Sequence, residues 1–283
     1  MKVSFFPGCS LEGTAREYGE SIEAVCSNLD IELRELSDWN CCGASSAHAT
    51  NEFLSIALPA RNLSMAEKAA CDLVTPCAAC FSRFKTAEKA LTGTSPVDVG
   101  VPFKGEINIL HILDFLCRQE FSGEIEKSVL KPLNKLKTVS YYGCLLVRPP
   151  RTTDARQWED PMDLDTLVAQ LGGESVYWPY KTECCGGSLV LSKVDIVRRL
   201  CGRLFDMARE AGADCIVTAC PLCQANLDTR QEEIGNEKGI TYDIPIFYFT
   251  ELMGLAFGNK GADKWFARHL VDPRPLLQSK NLL

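Results

Sequence analysis

The feature that most constrains this chain is a five-cysteine pattern that occurs twice. The first copy runs from Cys9 through Cys41-Cys42-Gly43 to Cys77-Ala78-Ala79-Cys80, and the second from Cys144 through Cys184-Cys185-Gly186 to Cys220-Pro221-Leu222-Cys223. In both copies 34 residues separate the adjacent pair from the CxxC, whereas 31 residues precede the pair in the first and 39 in the second. Ten of the fifteen cysteines fall on this repeat, so two halves of one design are expected. A chain of 283 residues, 46% of them apolar, can bury a core in each.

The elements between the cysteines repeat as well. Lys2–Phe6 reads as a strand broken by Pro7-Gly8, and Tyr18, Ile22, Val25, Cys26 and Leu29 fall at helical spacing. Ile31–Leu36 is strand-like, a helix is expected from about Asn51 to Ala70, and Leu73-Val74 signals a buried strand before the CxxC. Ile107–Leu110 then closes the half and runs into a helix at His111–Cys117. The second half follows the same order: a strand at Thr138–Tyr142, a helix through Leu164–Leu171, and a strand at Ser175–Tyr177. A helix from about Leu189 to Ala211, a strand at Cys215–Val217 and a closing unit at Ile244–Tyr248 complete it. Glu251-Leu252 matches Asp114-Phe115 at the offset of 137 that also aligns the closing strands. Strands alternating with helices predict a parallel sheet covered on both faces, with ligands gathered beyond the carboxyl ends of its strands. Cys9, Cys77, Cys144 and Cys220 each follow a predicted strand, which would place five thiols at one edge of each sheet. The domains are therefore read as residues 1–117 and 138–258, joined by a charged connection at 118–137 and followed by a tail at 259–283.

A net charge of -7 argues against a nucleic-acid coat, which needs a basic surface. The first residues lack the pattern of a secretory signal peptide. The most apolar window, residues 244–256, is interrupted by Pro245, Thr250, Glu251 and Gly254, so no membrane span is expected. The reading is a cytoplasmic protein, and there closely spaced cysteines more often serve metals or redox chemistry than structural disulfides.

One CxxC alone is compatible with zinc, with a thioredoxin-like dithiol or with an iron–sulfur ligand. Five thiols repeated twice say more. A structural zinc takes four ligands and leaves one thiol over in each half, and an ordinary cubane site usually carries a CxxCxxC run that is missing here. Adjacent cysteines point apart on a regular strand, so a pair serving one site belongs on an irregular loop. Gly43 and Gly186-Gly187 would let that loop approach a bulky inorganic group.

This double pattern resembles the CCG domain pair of the cysteine-rich subunit of the soluble heterodisulfide reductase, the enzyme that reduces the mixed disulfide of coenzymes M and B. Phe6-Pro7-Gly8-Cys9-Ser10, Cys41-Cys42-Gly43-Ala44 and the tail Arg268-His269-Leu270-Val271-Asp272-Pro273 carry the local likeness, which covers nearly all the chain. The spacing of 34 is slightly shorter than is usual in that family. The resemblance implies an α/β fold of two tandem pseudo-symmetric Rossmann-like CCG domains, each a small mainly parallel sheet flanked by helices. It also implies two non-cubane [4Fe-4S] clusters, one on Cys9, Cys41, Cys42, Cys77 and Cys80, the other on Cys144, Cys184, Cys185, Cys220 and Cys223. A disulfide would be reduced to two thiols between them. Electrons would come from a separate iron–sulfur subunit of the complex and from its flavin-containing subunit, with a hydrogenase or formate dehydrogenase as further partners. No flavin or nucleotide fingerprint occurs in the chain itself. Two rivals stand beside this reading: a non-catalytic electron-transfer subunit of another CCG-containing dehydrogenase complex, and a zinc-stabilised scaffold.

Outside the repeat, Cys26, Cys71, Cys117, Cys201 and Cys215 lie in or beside helix or strand patterns and are read as core packing. No catalytic residue is assigned beyond the cluster ligands, His48 being a candidate proton donor five residues after the first CCG. His111 is read as structural. Arg148, Arg151 and Lys181, close in sequence to the second set, are candidate anchors for an anionic substrate. The apolar tail from Trp265 to Leu283 is expected either to dock a partner or to cap the core.

Overall fold

A computed structural model of the chain describes residues 1–44 and 47–283. Four strands, β1 (Lys2–Phe5), β2 (Glu32–Glu35), β3 (Leu73–Thr75) and β4 (Ile109–His111), form the first sheet in the order β2-β1-β3-β4. The second sheet, β5 (Lys137–Tyr141), β6 (Glu174–Ser175), β7 (Cys215–Thr218) and β8 (Ile246–Tyr248), has the equivalent order β6-β5-β7-β8. Every pairing is parallel, with Phe5 beside Val74 in the first sheet and Tyr141 beside Thr218 in the second. The fold is thus two tandem α/β units, as the repeat predicts. Apart from Lys2 and Lys137 at their starts, the residues of the four central strands β1, β3, β5 and β7 are buried, as expected where helices cover both faces.

Three segments differ from their sequence reading, each for a local reason. The predicted strand at Ser175–Tyr177 is only Glu174–Ser175. Trp178 turns inward to donate from Nε1 to the Ser140 carbonyl at 2.8 Å, pulling the chain out of the sheet, and Tyr177 is left exposed. The predicted helix from Leu189 becomes a short 3-10 turn at Gly187–Leu189 and a separate helix at Val194–Glu210. The charged connection holds a helix, Gln119–Ser128, whose Phe121 and Ile125 are buried; Phe121 meets Phe115 edge to face at 5.2 Å.

The two halves share one core. The first-half helix Arg16–Asn28 packs against Phe249–Ala256, the closing helix of the second half. There Tyr18 stacks on Tyr248 at 4.0 Å between ring centroids, a contact worth about 1 kcal/mol beyond the area it buries. Tyr18 also donates its hydroxyl to the Ala219 carbonyl at 3.1 Å, and Ser21 shares a 2.7 Å hydrogen bond with Thr250. The tail resolves in favour of a cap. Trp265, Phe266 and Leu277 are buried, and the short helix Ala262–Phe266 lies against the Arg16–Asn28 helix.

Candidate metal centre

Each thiol set sits beyond the carboxyl ends of the two central strands of its sheet. Cys77 and Cys220 directly precede the helices Ala78–Thr92 and Pro221–Thr229, so each CxxC straddles a helix start. The inner thiols Cys42, Cys77, Cys80, Cys185, Cys220 and Cys223 are buried, whereas Cys9 and Cys41 are exposed and Cys144 and Cys184 half-buried. Sulfur contacts link the members: Cys42 and Cys80 at 3.0 Å, Cys144 and Cys184 at 3.7 Å, Cys185 and Cys223 at 3.8 Å. Cys77 and Cys220 shift each other's proton affinity across the two halves, Cys77 upward and Cys220 downward, so the sets approach each other there.

Clustering divides the thiols into those that give up a proton and those that keep it. Cys41 and Cys80 hydrogen-bond to Cys42 and bring its pKa down to about 4, while Cys41 itself is pushed up. Cys144 does the same for Cys184, which falls to about 6. Cys223 lowers Cys185, and Cys223 with Cys77 lowers Cys220; the donor Cys223 rises. Each set therefore presents ready thiolates beside thiols, the state from which soft metals displace the remaining protons.

Glycines make room at the sulfurs, and of those expected Gly187 is one, an added Cβ there standing 3.5 Å from the Cys185 sulfur. Gly43 and Gly186 do adopt left-handed backbone, but a Cβ there would meet Leu58 at 3.2 Å and Val197 at 3.2 Å, so they seat the CCG loops on helices. At Gly143 a Cβ would stand 2.9 Å from the Cys223 sulfur, and at Gly8 3.5 Å from that of Cys80. The repeated Gly8-Cys9 and Gly143-Cys144 dipeptides were the sequence signal for this close approach. A side chain would fill the space beside the thiols, so the donor set fits a bulky, sulfur-ligated inorganic group. Among the described residues, no three His, Cys, Asp or Glu side chains stand close enough to hold a single ion.

A cavity of about 500 Å³ lies between the halves and reaches this site. The second half contributes Cys144, Cys184, Cys185, Cys220 and Cys223 together with Leu145, Val190, Leu191 and Leu222; the first contributes Ala44, His48, Ala78, Ala79 and Arg83. His48 thus lines the cavity. The three cations proposed as anchors do not. Lys181 is buried in ion pairs with Asp160 at 2.7 Å and Asp165 at 3.2 Å, which occupy its charge. Arg148 lines a separate shallow depression with Pro149, Pro150, Trp158 and Glu159, and Arg151 is exposed on the short helix Pro150–Thr153. Arg83, three residues after Cys80, is the cavity's cation, and its sequence context gave no hint of that.

The remaining histidines are structural. His111 is buried, accepts from the Leu113 N–H at Nδ1 and lies 3.0 Å from the Pro76 carbonyl at Nε2, and burial pushes its pKa down to about 4. His269 is buried against Glu251 at 2.8 Å, which gives the Arg268–Pro273 tail a role that its sequence did not reveal. Cys26, Cys201 and Cys215 are buried as expected, while Cys71 and Cys117 are only half-buried. Cys201 does more than pack, donating to the Cys185 carbonyl at 3.3 Å.

Comparison with known proteins agrees with this geometry. A family model for the CCG cysteine-rich domain matches residues 3–85 and 138–228, more than half of the chain. The 8-methylmenaquinol:fumarate reductase membrane anchor subunit of Wolinella succinogenes is 29% identical over 282 residues, covering 97% of this chain and 99% of that one. One subunit of the ferredoxin:CoB-CoM heterodisulfide reductase of Methanosarcina mazei is 29% identical over 269 residues, 91% of this chain and 89% of that one. A hypothetical protein from Helicobacter pylori shares the fold, with a TM-score of 0.71 at 9% identity over 96% of this chain and 52% of that one. No helix among the described residues is long and apolar enough to cross a membrane. The Wolinella and Methanosarcina relatives are each named as one subunit of a reductase. With two matched copies of its domain, the chain belongs to the CCG cysteine-rich family.

Proposed function

We propose that the chain is the disulfide-reducing subunit of a heterodisulfide reductase-like complex. One observation carries this reading: two five-thiol sets meet at Cys77 and Cys220 beside a single cavity that both halves line. Cys9, Cys41, Cys42, Cys77 and Cys80 would hold one [4Fe-4S] cluster of the non-cubane type, and Cys144, Cys184, Cys185, Cys220 and Cys223 the other. When bound, such clusters supply electrons one at a time. A disulfide needs two electrons and two protons to become two thiols, so a pair of centres matches the reaction.

The chain's own residues would position and shield the substrate. Leu145, Val190, Leu191 and Leu222 offer it an apolar lining, and water excluded there strengthens every charge interaction within the cavity. His48 stands where it can return a proton to a departing thiolate. Electrons would come from partner subunits, one carrying iron–sulfur clusters and one carrying flavin, since reduction of the substrate requires a donor outside this chain.

A second reading has its own support, because the Wolinella relative named a membrane anchor subunit matches over 97% of this chain. Here the chain would pass electrons between partners without a substrate of its own. Anaerobic reconstitution with iron and sulfide, followed by reduction with a viologen donor and a panel of small disulfides, separates the readings. Thiol production at two per two electrons consumed supports the enzyme. Fast viologen oxidation by quinone analogues with no thiol formed would support the conduit instead, and zinc as the main occupant of the purified chain would reject both.

A further inference from the structure

Position 83 breaks the symmetry of the site. It follows the second cysteine of the first CxxC by three residues, as Asn226 follows that of the second. Asn226 is buried with its amide nitrogen engaged, donating Nδ2 to the Cys185 carbonyl at 2.8 Å and to the Cys201 sulfur at 3.4 Å. It holds the second CCG loop in place. The first CCG loop is held differently, through Asn62, which donates to the Asn40 carbonyl at 2.8 Å and accepts from the Asn40 N–H at 3.0 Å. Arg83 is thereby released from the task its counterpart performs.

Arg83 is half-buried on the cavity wall and makes no ion pair or hydrogen bond among the described residues, with Cys42 acting on its charge only through space. Nearby cations behave otherwise: Lys85 reaches Asp154 at 2.9 Å and Lys89 reaches it at 2.6 Å. Five N–H donors with no acceptor, partly withdrawn from water beside an apolar lining, are costly unless a ligand supplies the acceptor. A planar guanidinium fork matches carboxylate, sulfonate and phosphate groups, all of which offer paired oxygens.

We infer that Arg83 is the anion anchor of the cavity and selects disulfides that carry an acidic group. The inference rests on the proposed disulfide chemistry and names its substrate class. The sulfur–sulfur bond would lie toward the thiol-lined wall of the second half, with the acidic end held at the wall of the first. No redox step passes through Arg83, which acts by positioning.

The test compares a dicarboxylate disulfide (3,3′-dithiodipropionate), a disulfonate (2,2′-dithiobis-ethanesulfonate) and a neutral one (2-hydroxyethyl disulfide) on the reconstituted chain. The wild type should favour an acidic substrate over the neutral one in kcat/KM by about 10- to 100-fold, the range expected for a charged hydrogen-bonded pair. In Arg83→Asn, which imports the second half's residue, that ratio should fall to near one at unchanged iron and sulfide content. Arg83→Lys should recover part of it, because a point charge keeps the attraction without the fork. The dicarboxylate and the disulfonate identify which head group fits. Equal losses on acidic and neutral substrates, or no preference in the wild type, would overturn the anchor. Should no disulfide turn over, the reduction reading fails instead. Calorimetric binding of the non-reducible thioether 3,3′-thiodipropionate then decides the anchor alone: binding abolished in Arg83→Asn supports it, and equal binding rejects it.

Discussion

The two halves share a topology, yet they expose their thiols to different things. In the second set all five sulfurs line the cavity between the halves, whereas the first set faces it through Ala44, His48, Ala78, Ala79 and Arg83. The eight additional residues before the second CCG account for some of this, since that stretch carries the helix Pro150–Thr153, which packs on the first-half helix Ala78–Thr92. What the duplication keeps is the position of the sulfurs at the strand ends. What it releases is the surrounding shell, and there one half has become a thiol wall and the other a recognition wall. A duplicated site can divide labour in this way because the ligand positions depend on the sheet while the shell depends on loops.

Metal loading tests the division most severely. Cys42→Ala and Cys185→Ala remove one inner thiol from the first and second sets respectively. If the sets load independently, each variant should retain about half of the wild-type iron and acid-labile sulfide, because incomplete ligation of one site leaves the other intact. The coupling between Cys77 and Cys220 provides the means for failure. Loss of nearly all iron from either variant would show that the halves assemble as one centre, and the comparison would then apply to their shells alone.

The closing helices offer the next contrast. Glu251 in the second half and Asp114 in the first occupy matched positions, each accepting from the backbone N–H three residues earlier, Tyr248 and His111. Only Glu251 sits in an ion pair, with His269 at 2.8 Å, whereas Arg118 acts on Asp114 without forming one. Burial pulls His269 down, but Glu251, helped by Asp228 and Glu17, outweighs it and lifts the pKa to about 9. The folded value exceeds the unfolded one near 6.5, so this stabilisation is complete below pH 6.5 and fades as the pH rises through 9. It amounts to about 3 kcal/mol at the acid end of that window. His269→Gln should lower Tm most at pH 6 and little at pH 9.5, as followed by circular dichroism. Asp114 is raised as well, but by disfavouring its charge: burial, with Asp163 nearby, lifts its carboxyl to about 7. Stability should therefore fall between pH 4 and 7, and Asp114→Asn should remove that slope. A flat profile in the wild type across both windows would break the contrast.

How much of this was legible in the sequence depends on the distance over which the information acts. The alternation of strands and helices along the chain, the loops carrying Cys41-Cys42 and Cys184-Cys185, and the placement of Cys77 and Cys220 follow from periodicity and spacing, which are local. The surroundings of the cations were not legible: Lys181 is paired with Asp160 and Asp165, 21 and 16 residues away, and no pattern announces such partners. Arg83 was hidden among helical lysines, although aligning the repeats would have set it against Asn226 and raised the question of why the halves differ there. The tail was read as apolar when its decisive residue is polar: His269 completes a buried pair with a helix of the core.

Glycine substitution gives the smallest and most local test of the comparison. Gly8 and Gly143 both adopt left-handed backbone, φ +69 and +67, at the turn entering the first cysteine of each set. Alanine at either position should cost about 1 to 2 kcal/mol for the backbone alone. The surroundings then separate them. At Gly143 the new Cβ would lie 2.9 Å from the Cys223 sulfur, closer than atoms tolerate, so that sulfur must move. At Gly8 the nearest atoms are Phe6 at 3.2 Å and the Cys80 sulfur at 3.5 Å, the latter an ordinary contact. Gly143→Ala should therefore lose both thermal stability and iron, whereas Gly8→Ala should lose stability with most of its iron retained. Melting curves and iron content measured on the same preparations give both readouts. Equal iron loss in the two variants would mean that the cradle of the second set is no tighter than that of the first.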